Sequence, residues 1–276
     1  MELFVRFTRS PVAVVGLLLL VAVVGVAIFA DVFYPGDPLA LAGRPLQWPS
    51  WTGQFLLGTD LSGRNIAAEI AHGARVTLIM GTTSTIIALT LGIVVGAVAG
   101  FNGGLIDELL MRLTEAFQTL PSFILLLVLV LIFGSSMTTV IIAVAIVSWP
   151  PVARLTRAEF LTLRNREFVQ ACHSIGLTRR WIMFREVLPN ALPPIIVYAS
   201  VVMATAILLE SALAFLELSD PNVASWGNLI GQGRKVLRSE WYVSAIPGVS
   251  ILLTILSVSL FGQGLNDALN PRLHRR

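Results

Sequence analysis

Charged side chains are absent from five long intervals of this chain, residues 10–30, 76–106, 116–153, 187–209 and 241–266. About 20 consecutive apolar residues cross the hydrocarbon core of a bilayer, so each interval is long enough for one membrane span. The interval 116–153 is interrupted by Gly134-Ser135-Ser136 and fits two. The pattern predicts an all-α polytopic membrane protein with six spans.

Composition agrees. Only 13% of the residues are charged, against about 25% in soluble domains, and the mean hydropathy is +0.82. This excludes a disordered chain and argues strongly against an ordinary water-soluble enzyme. The single cysteine, Cys172, leaves no internal disulfide and too few thiols for a zinc or iron–sulfur cage. Eighteen of the 19 basic residues are arginine, Lys235 being the exception. A pI near 9.6 in so apolar a chain reports arginines that fix topology rather than a nucleic-acid partner.

Arg6 and Arg9 precede an apolar run from Val12 to Ala30. That run exceeds the roughly 7–15 residues of a signal-peptide core and predicts a retained anchor. Six spans put both termini on one side. If that side is the cytoplasm, 13 basic residues lie inside and six outside, as the positive-inside rule favours. Asp107, Glu108 and Glu115 outnumber Arg112 in an inner segment, but acidic residues weigh little in that rule; they are expected at a solvated helix start. The organisation expected is a tail and first span over 1–32, an extracytoplasmic loop over 33–75, a five-helix core over 76–267 with a cytoplasmic loop at 154–189, and a tail over 268–276.

Two loops, about 31–75 and 217–240, face outside. Trp48, Trp51, Trp226 and Trp241 fall near span ends, where the headgroup region favours amphipathic rings, although scattered aromatics give the same pattern. Pro121, Pro150, Pro151, Pro193 and Pro194 lie in or beside spans. Such breaks are tolerated in lipid only where protein or water satisfies the freed backbone groups. Gly92, Gly96 and Gly100 recur every fourth residue and permit close helix contact. Both features predict a helical assembly with partners.

The inner loop from Arg154 to Pro189 carries the most information. Phe168, Ala171, Cys172 and Ile175 form one apolar helical stripe, and Gly176 can end that helix with a positive φ. Thr178 can cap a second helix in which Trp181, Phe184 and Leu188 share a face and which Pro189 closes. Such a basic helical hairpin fits three roles: lying on anionic lipid, binding DNA as a helix-turn-helix, or docking into a groove of a cytoplasmic partner. Tethering at both ends to spans disfavours DNA.

Gln170-Ala171-Cys172, Gly176 and Leu188-Pro189 have the spacing of E-A-A-x(3)-G-x(9)-I-x-L-P, with Gln170, Cys172 and Glu186 as departures. In this the loop resembles the coupling loop of ATP-binding-cassette (ABC) importer permeases. Leu57-Gly58-Thr59-Asp60-Leu61-Ser62-Gly63-Arg64-Asn65 and Gly73-Ala74-Arg75-Val76-Thr77-Leu78 resemble L-G-T-D-x-x-G-R-D…G-A-R-x-S-L of the dipeptide/oligopeptide permeases of the C type. Glu210-Ser211-Ala212-Leu213-Ala214-Phe215-Leu216, Ser225-Trp226-Gly227-Asn228 and Asn270-Pro271-Arg272-Leu273 resemble further stretches of that family, with Glu217 and Ser219 in place of its glycines.

The resemblance implies a MetI-like type I importer permease in a bacterial cytoplasmic membrane. Its implied partners are a second permease subunit, two cytoplasmic ATPases and an extracytoplasmic substrate-binding protein. Its implied cargo is di- or oligopeptide, with nickel or haem as family alternatives. Gln170–Gly176 would be the helix seated on an ATPase, with Arg179, Arg180 and Arg185 pairing at the groove rim or, equally, facing lipid headgroups.

This chain is not expected to hydrolyse ATP, because a phosphate-binding loop needs Gly-Lys-[Ser/Thr] and Lys235 precedes Val236. ATP and magnesium would sit on the partner ATPases. Glu210, toward the outer end of the fifth span, faces either the pathway or the interface by snorkelling. His72 and His173 fall in loops on opposite sides and cannot share a metal. An ATPase-independent secondary transporter would show inverted repeats, and an intramembrane enzyme would need a nucleophile–base pair or metal ligands; neither pattern is present.

Overall fold

The computed structural model describes residues 7, 8 and 10–269. Arg6, Arg9 and the Asn270-Pro271-Arg272-Leu273 motif lie outside the described residues. Among the described residues all regular structure is helical.

Helix α1, Pro11–Ile28, starts with Ser10 accepting a hydrogen bond from the Ala13 amide at 3.4 Å and Pro11 in its first turn, where a missing N–H costs nothing. Helix α2, Ile66–Asn102, has 37 residues. Asn65 caps it, its side chain accepting from the Ala67 amide at 3.0 Å, so asparagine at the position usual for aspartate retains the capping chemistry. The helix thus begins ten residues before the predicted span, and the irregular outer segment is 34–65.

Helices α3, Gly104–Thr119, and α4, Ser122–Phe133, meet at an 83° bend. Leu120 is extended, with ψ 135°, because the residue before a proline is driven out of the helical region. At about 1.5 Å per residue, the 12 residues of α4 rise roughly 18 Å, short of the bilayer core. Among the described residues five helices are long and apolar enough to span, and the sixth predicted span is realised only as this bent pair. The break at Gly134, φ 90°, falls where predicted.

Helix α5, Met137–Leu163, runs through Pro150 and Pro151 and carries residues 154–163 with it. After the short helix α6, Glu167–Ser174, Arg179–Trp181 leads into a π-helical turn, Ile182–Val187, and then into α7, Leu188–Phe215. Pro189 therefore does not close a separate helix. It sits in the first turn of α7, after a π turn that already shifts the bonding register, and 179–215 form one rod of 37 residues. Helix α8, Trp226–Gly233, and helix α9, Tyr242–Leu269, complete the chain.

The glycines of α2 are consumed inside the chain rather than by a partner. A Cβ on Gly92 would lie 2.5 Å from Val152 Cβ, and one on Gly100 would lie 2.7 Å from Phe160 Cβ. A Cβ on Gly96 would press on the Ala153 carbonyl oxygen. Close backbone approach of α2 and α5 is what small residues permit in lipid, and Ala88, Ala145, Trp149, Val152 and Ala153 fill the seam. Gly16 of α1 similarly lies against Leu260 and Phe261 of α9.

Candidate functional site

At the end of the bundle where α2 finishes, α5 and α7 emerge and are joined by the hairpin. Arg164 donates from Nη1 to the Gly100 carbonyl at 2.9 Å, placing a cation on the C-terminal carbonyls of α2. Gly176 adopts φ +83°. Its amide donates to the His173 carbonyl at 3.1 Å and the Leu177 amide to the Cys172 carbonyl at 3.2 Å, the paired bonds of a Schellman cap. Thr178 then caps the next turn, accepting from the Trp181 amide at 3.4 Å.

The predicted stripe divides between two faces. Val169, fully buried, and Cys172 pack inward with Phe160, Ile182, Met183 and Val187. Phe168, Ala171 and Ile175 face outward, Ile175 at 75% exposure, and Trp181 and Phe184 are exposed on the second arm of the hairpin. Leu188 packs on the inner cluster, while Gln170 and Pro189 are exposed. Arg179, Arg180 and Arg185 are exposed, and among the described residues none of them is in an ion pair.

Nearby, Arg157 of α5 grips Asp107 of α3 through two hydrogen bonds of 2.5 and 2.6 Å. Asp107 was expected to be solvated and is instead 14% exposed against this partner. Glu108 keeps to the surface with Arg112, one helical turn away at 2.6 Å. The sequence signal for the Asp107 pair, one aspartate beside a long uncharged interval, does not identify which arginine it meets.

At the opposite end the remaining motifs converge. Asp60 Oδ1 accepts from the Ser62 and Arg64 amides at 2.8 and 2.7 Å, and the Thr59 hydroxyl donates to the Arg44 carbonyl at 2.7 Å. Tyr242 of α9 donates to the Gln47 carbonyl at 2.9 Å. Arg75 donates to the Ala27 carbonyl at 3.1 Å and to Asp31 at 2.9 Å, tying the end of α1 to α2. Its guanidinium holds the Asp31 carboxyl below the usual carboxylate range. Lys235, 2.7 Å from Glu217, lowers that carboxyl likewise.

Glu210 is 2% exposed. It lies inside the chain, against the start of α8: Oε2 is 3.5 Å from the Ser211 hydroxyl, and Oε1 has no hydrogen-bond partner. Trp226, expected at the headgroups, is 3% exposed because its indole reaches across to α2; Trp48, Trp51 and Trp241 do lie on the surface. His72 bonds the Tyr34 carbonyl at 2.9 Å, and His173 is exposed on α6 at the other end.

A bundle of helices long and apolar enough to span, with an exposed helical hairpin joining two of them, defines a multi-pass membrane protein. Residues 92–275 match the family model of binding-protein-dependent transport system inner membrane components, and residues 2–49 match the N-terminal transmembrane domain of oligopeptide transport permease C. The chain belongs to the first of these families: it is the permease subunit of an ABC importer. It is 39% identical to the di/tripeptide transport system permease protein DppC of Pseudomonas aeruginosa, over 99% of this chain and 92% of that one. It is 32% identical to the oligopeptide transport system permease protein OppC of Bacillus subtilis, over 99% and 90% respectively. The fold matches the inward-facing MetNI methionine ABC transporter with a TM-score of 0.61 at 17% identity, covering 73% of this chain and 96% of that one.

Proposed function

We propose that this chain forms half of the pathway of an importer for di- and oligopeptides, paired with a second, different permease subunit. Two cytoplasmic ATPases drive it, and an extracytoplasmic binding protein delivers the cargo. The names of the DppC and OppC relatives support peptide cargo. Both termini and the hairpin at Gly176 lie in the cytoplasm, and the Trp226 end faces outside, as the arginine distribution favours. The chain itself is non-catalytic and holds no cofactor; ATP and magnesium reside on the ATPases.

One observation carries the mechanism. Phe168, Ala171 and Ile175, with Trp181 and Phe184 on the second arm, are apolar side chains left exposed among the described residues, on a hairpin continuous with α7 and three residues from the end of α5. An amphipathic helix seated in a groove moves with that groove. When the ATPase closes, the inward face of Val169 and Cys172 transfers the displacement to Ile182, Met183 and Val187, and the 179–215 rod rocks as a unit. The arginines beside the face match an acidic groove rim. Reconstituting the complete transporter and measuring ATP-driven peptide uptake tests this: Ile175→Asp should retain assembly of the two permeases and lose uptake. Full uptake by that variant would refute the coupling role.

A further inference from the structure

At the Trp226 end lies a cavity of about 260 Å³ between the 58–65 turn, the start of α2 and helix α8. Arg64, Glu69, Glu217 and Lys235 are its charged lining, and Ser225, Asn228 and Gln232 form one wall. Glu69 is 3% exposed. Its Oε2 has no hydrogen-bond partner, and Arg64 Nη1 remains 4.0 Å from Oε1, too far for a hydrogen bond. Asp60, fully buried beside Arg64, spends Oδ1 on two backbone amides and leaves Oδ2 unpartnered.

Glu69 is thus the buried carboxylate that opens on the cavity, facing the Arg64 guanidinium, whose Nε is itself without a partner. Glu217 is already neutralised by Lys235 at 2.7 Å. Both hydrogens of the Asn228 amide are committed to the Asp220 and Val223 carbonyls at 2.7 and 2.9 Å, which leaves its oxygen free to accept, while the Gln232 amide can donate or accept. A buried carboxylate oxygen without a donor is costly, and a cationic donor entering the cavity removes that cost. An anion would meet the unpaired carboxylate instead.

We propose that this cavity receives a primary ammonium group, the amino terminus of a peptide in transit, with Glu69 as its counter-ion. The assignment rests on the peptide-importer reading above and adds a recognition step on the permease itself. The three ammonium hydrogens match Glu69, the Asn228 oxygen and the Ser225 hydroxyl, and Arg64 holds the carboxylate in place without satisfying it. A blocked amino terminus loses both the charge and the donors.

The test is ATP-driven uptake into proteoliposomes holding the complete transporter, comparing a tripeptide with its N-acetylated form at saturating binding protein. Glu69→Gln should raise the KM for the free-amine peptide about tenfold, the worth of a charge-assisted hydrogen bond, and leave the acetylated peptide within about twofold. Equal changes for the two peptides, or none, would overturn the proposal. Because Glu69 is buried, Gln232→Lys provides a second variant: it introduces a competing ammonium from a half-exposed wall position and should depress uptake of the free-amine peptide selectively. Stimulation of ATP hydrolysis by peptide-free binding protein identifies the source of the ammonium. Unchanged stimulation in Glu69→Gln assigns it to cargo, whereas a loss would assign it to a lysine of the docking protein and overturn the cargo assignment. If the wild-type transporter moves neither peptide, the importer reading fails and the proposal fails with it.

Discussion

The indole nitrogen of Trp226 donates to the Ile70 carbonyl at 2.9 Å, and a Cβ on Gly73, one turn further along α2, would lie only 2.8 Å from Trp226 Cδ1. Two motifs separated by some 150 residues of chain are therefore one contact. Gly73→Ala should destabilise the protein by about 1–3 kcal/mol through overpacking. Trp226→Phe should cost about 1 kcal/mol for the lost hydrogen bond and partly relieve Gly73→Ala. A double-mutant cycle on unfolding of the detergent-solubilised complex measures the coupling; strict additivity would separate the two residues.

The α2–α5 seam makes a second contrast. Gly96→Ala presses a methyl group on the Ala153 carbonyl and should cost about 1–3 kcal/mol. Gly25 of α1 has nothing within 4 Å of its Cβ position, so Gly25→Ala should be neutral or stabilising by about 0.5–1 kcal/mol, the helical preference for alanine. Thermal unfolding of the two purified variants distinguishes a packing role from a general intolerance of added bulk.

Gly176 has φ +83° and open space around its Cβ position. Gly176→Val should therefore strain the turn by about 1–2 kcal/mol without any clash, abolishing uptake while membrane insertion persists. Gly176→Asn, which tolerates this backbone region, should retain most transport. If both variants transport equally, the turn conformation is irrelevant to coupling.

Crosslinking separates the two faces of α6. Cys172 is half-buried on the inward face, so a cysteine at Ile175 in a Cys172→Ala background should crosslink to an ATPase groove cysteine far more efficiently than native Cys172. Preferential reaction through Cys172 would reverse the assigned orientation of the helix.

Glu217 has φ +62° where the family resemblance places glycine. Glu217→Gly should raise thermal stability at low pH, because the ion pair with Lys235 is then already lost. The sign follows from the lowered carboxyl pKa: the pair contributes above the ordinary glutamate range and fades as pH falls through the depressed value. Unfolding midpoints at neutral and acidic pH measure the difference.

Much of this was legible in the chain itself. Uncharged intervals marked five of the spans, Gly176 and Thr178 fixed the hairpin because their roles depend on local backbone geometry, and Gly134 broke the helix where expected. Pro189 misled, since a proline is accommodated in the first turn of a helix, as Pro150 and Pro151 are even inside α5, and a π turn is not marked by any residue type. The splitting of Phe168 from Cys172 was also hidden: a stripe of four apolar residues does not say which edge is buried when both faces of the hairpin need covering.

The sequence determined that the chain crosses a membrane several times, belongs with ABC importer permeases, and presents a glycine-capped hairpin. The spans follow from hydropathy, the hairpin from interactions within a few residues, and the family from the resemblance of its motifs. Tertiary structure alone decided that Gly92, Gly96 and Gly100 serve α5 rather than another subunit, that Trp226 turns inward, and that Arg64 and Glu69 share one cavity. Those outcomes depend on which surfaces meet across the bundle, and burial of an unpaired carboxylate is a property of its neighbours, not of its place in the chain.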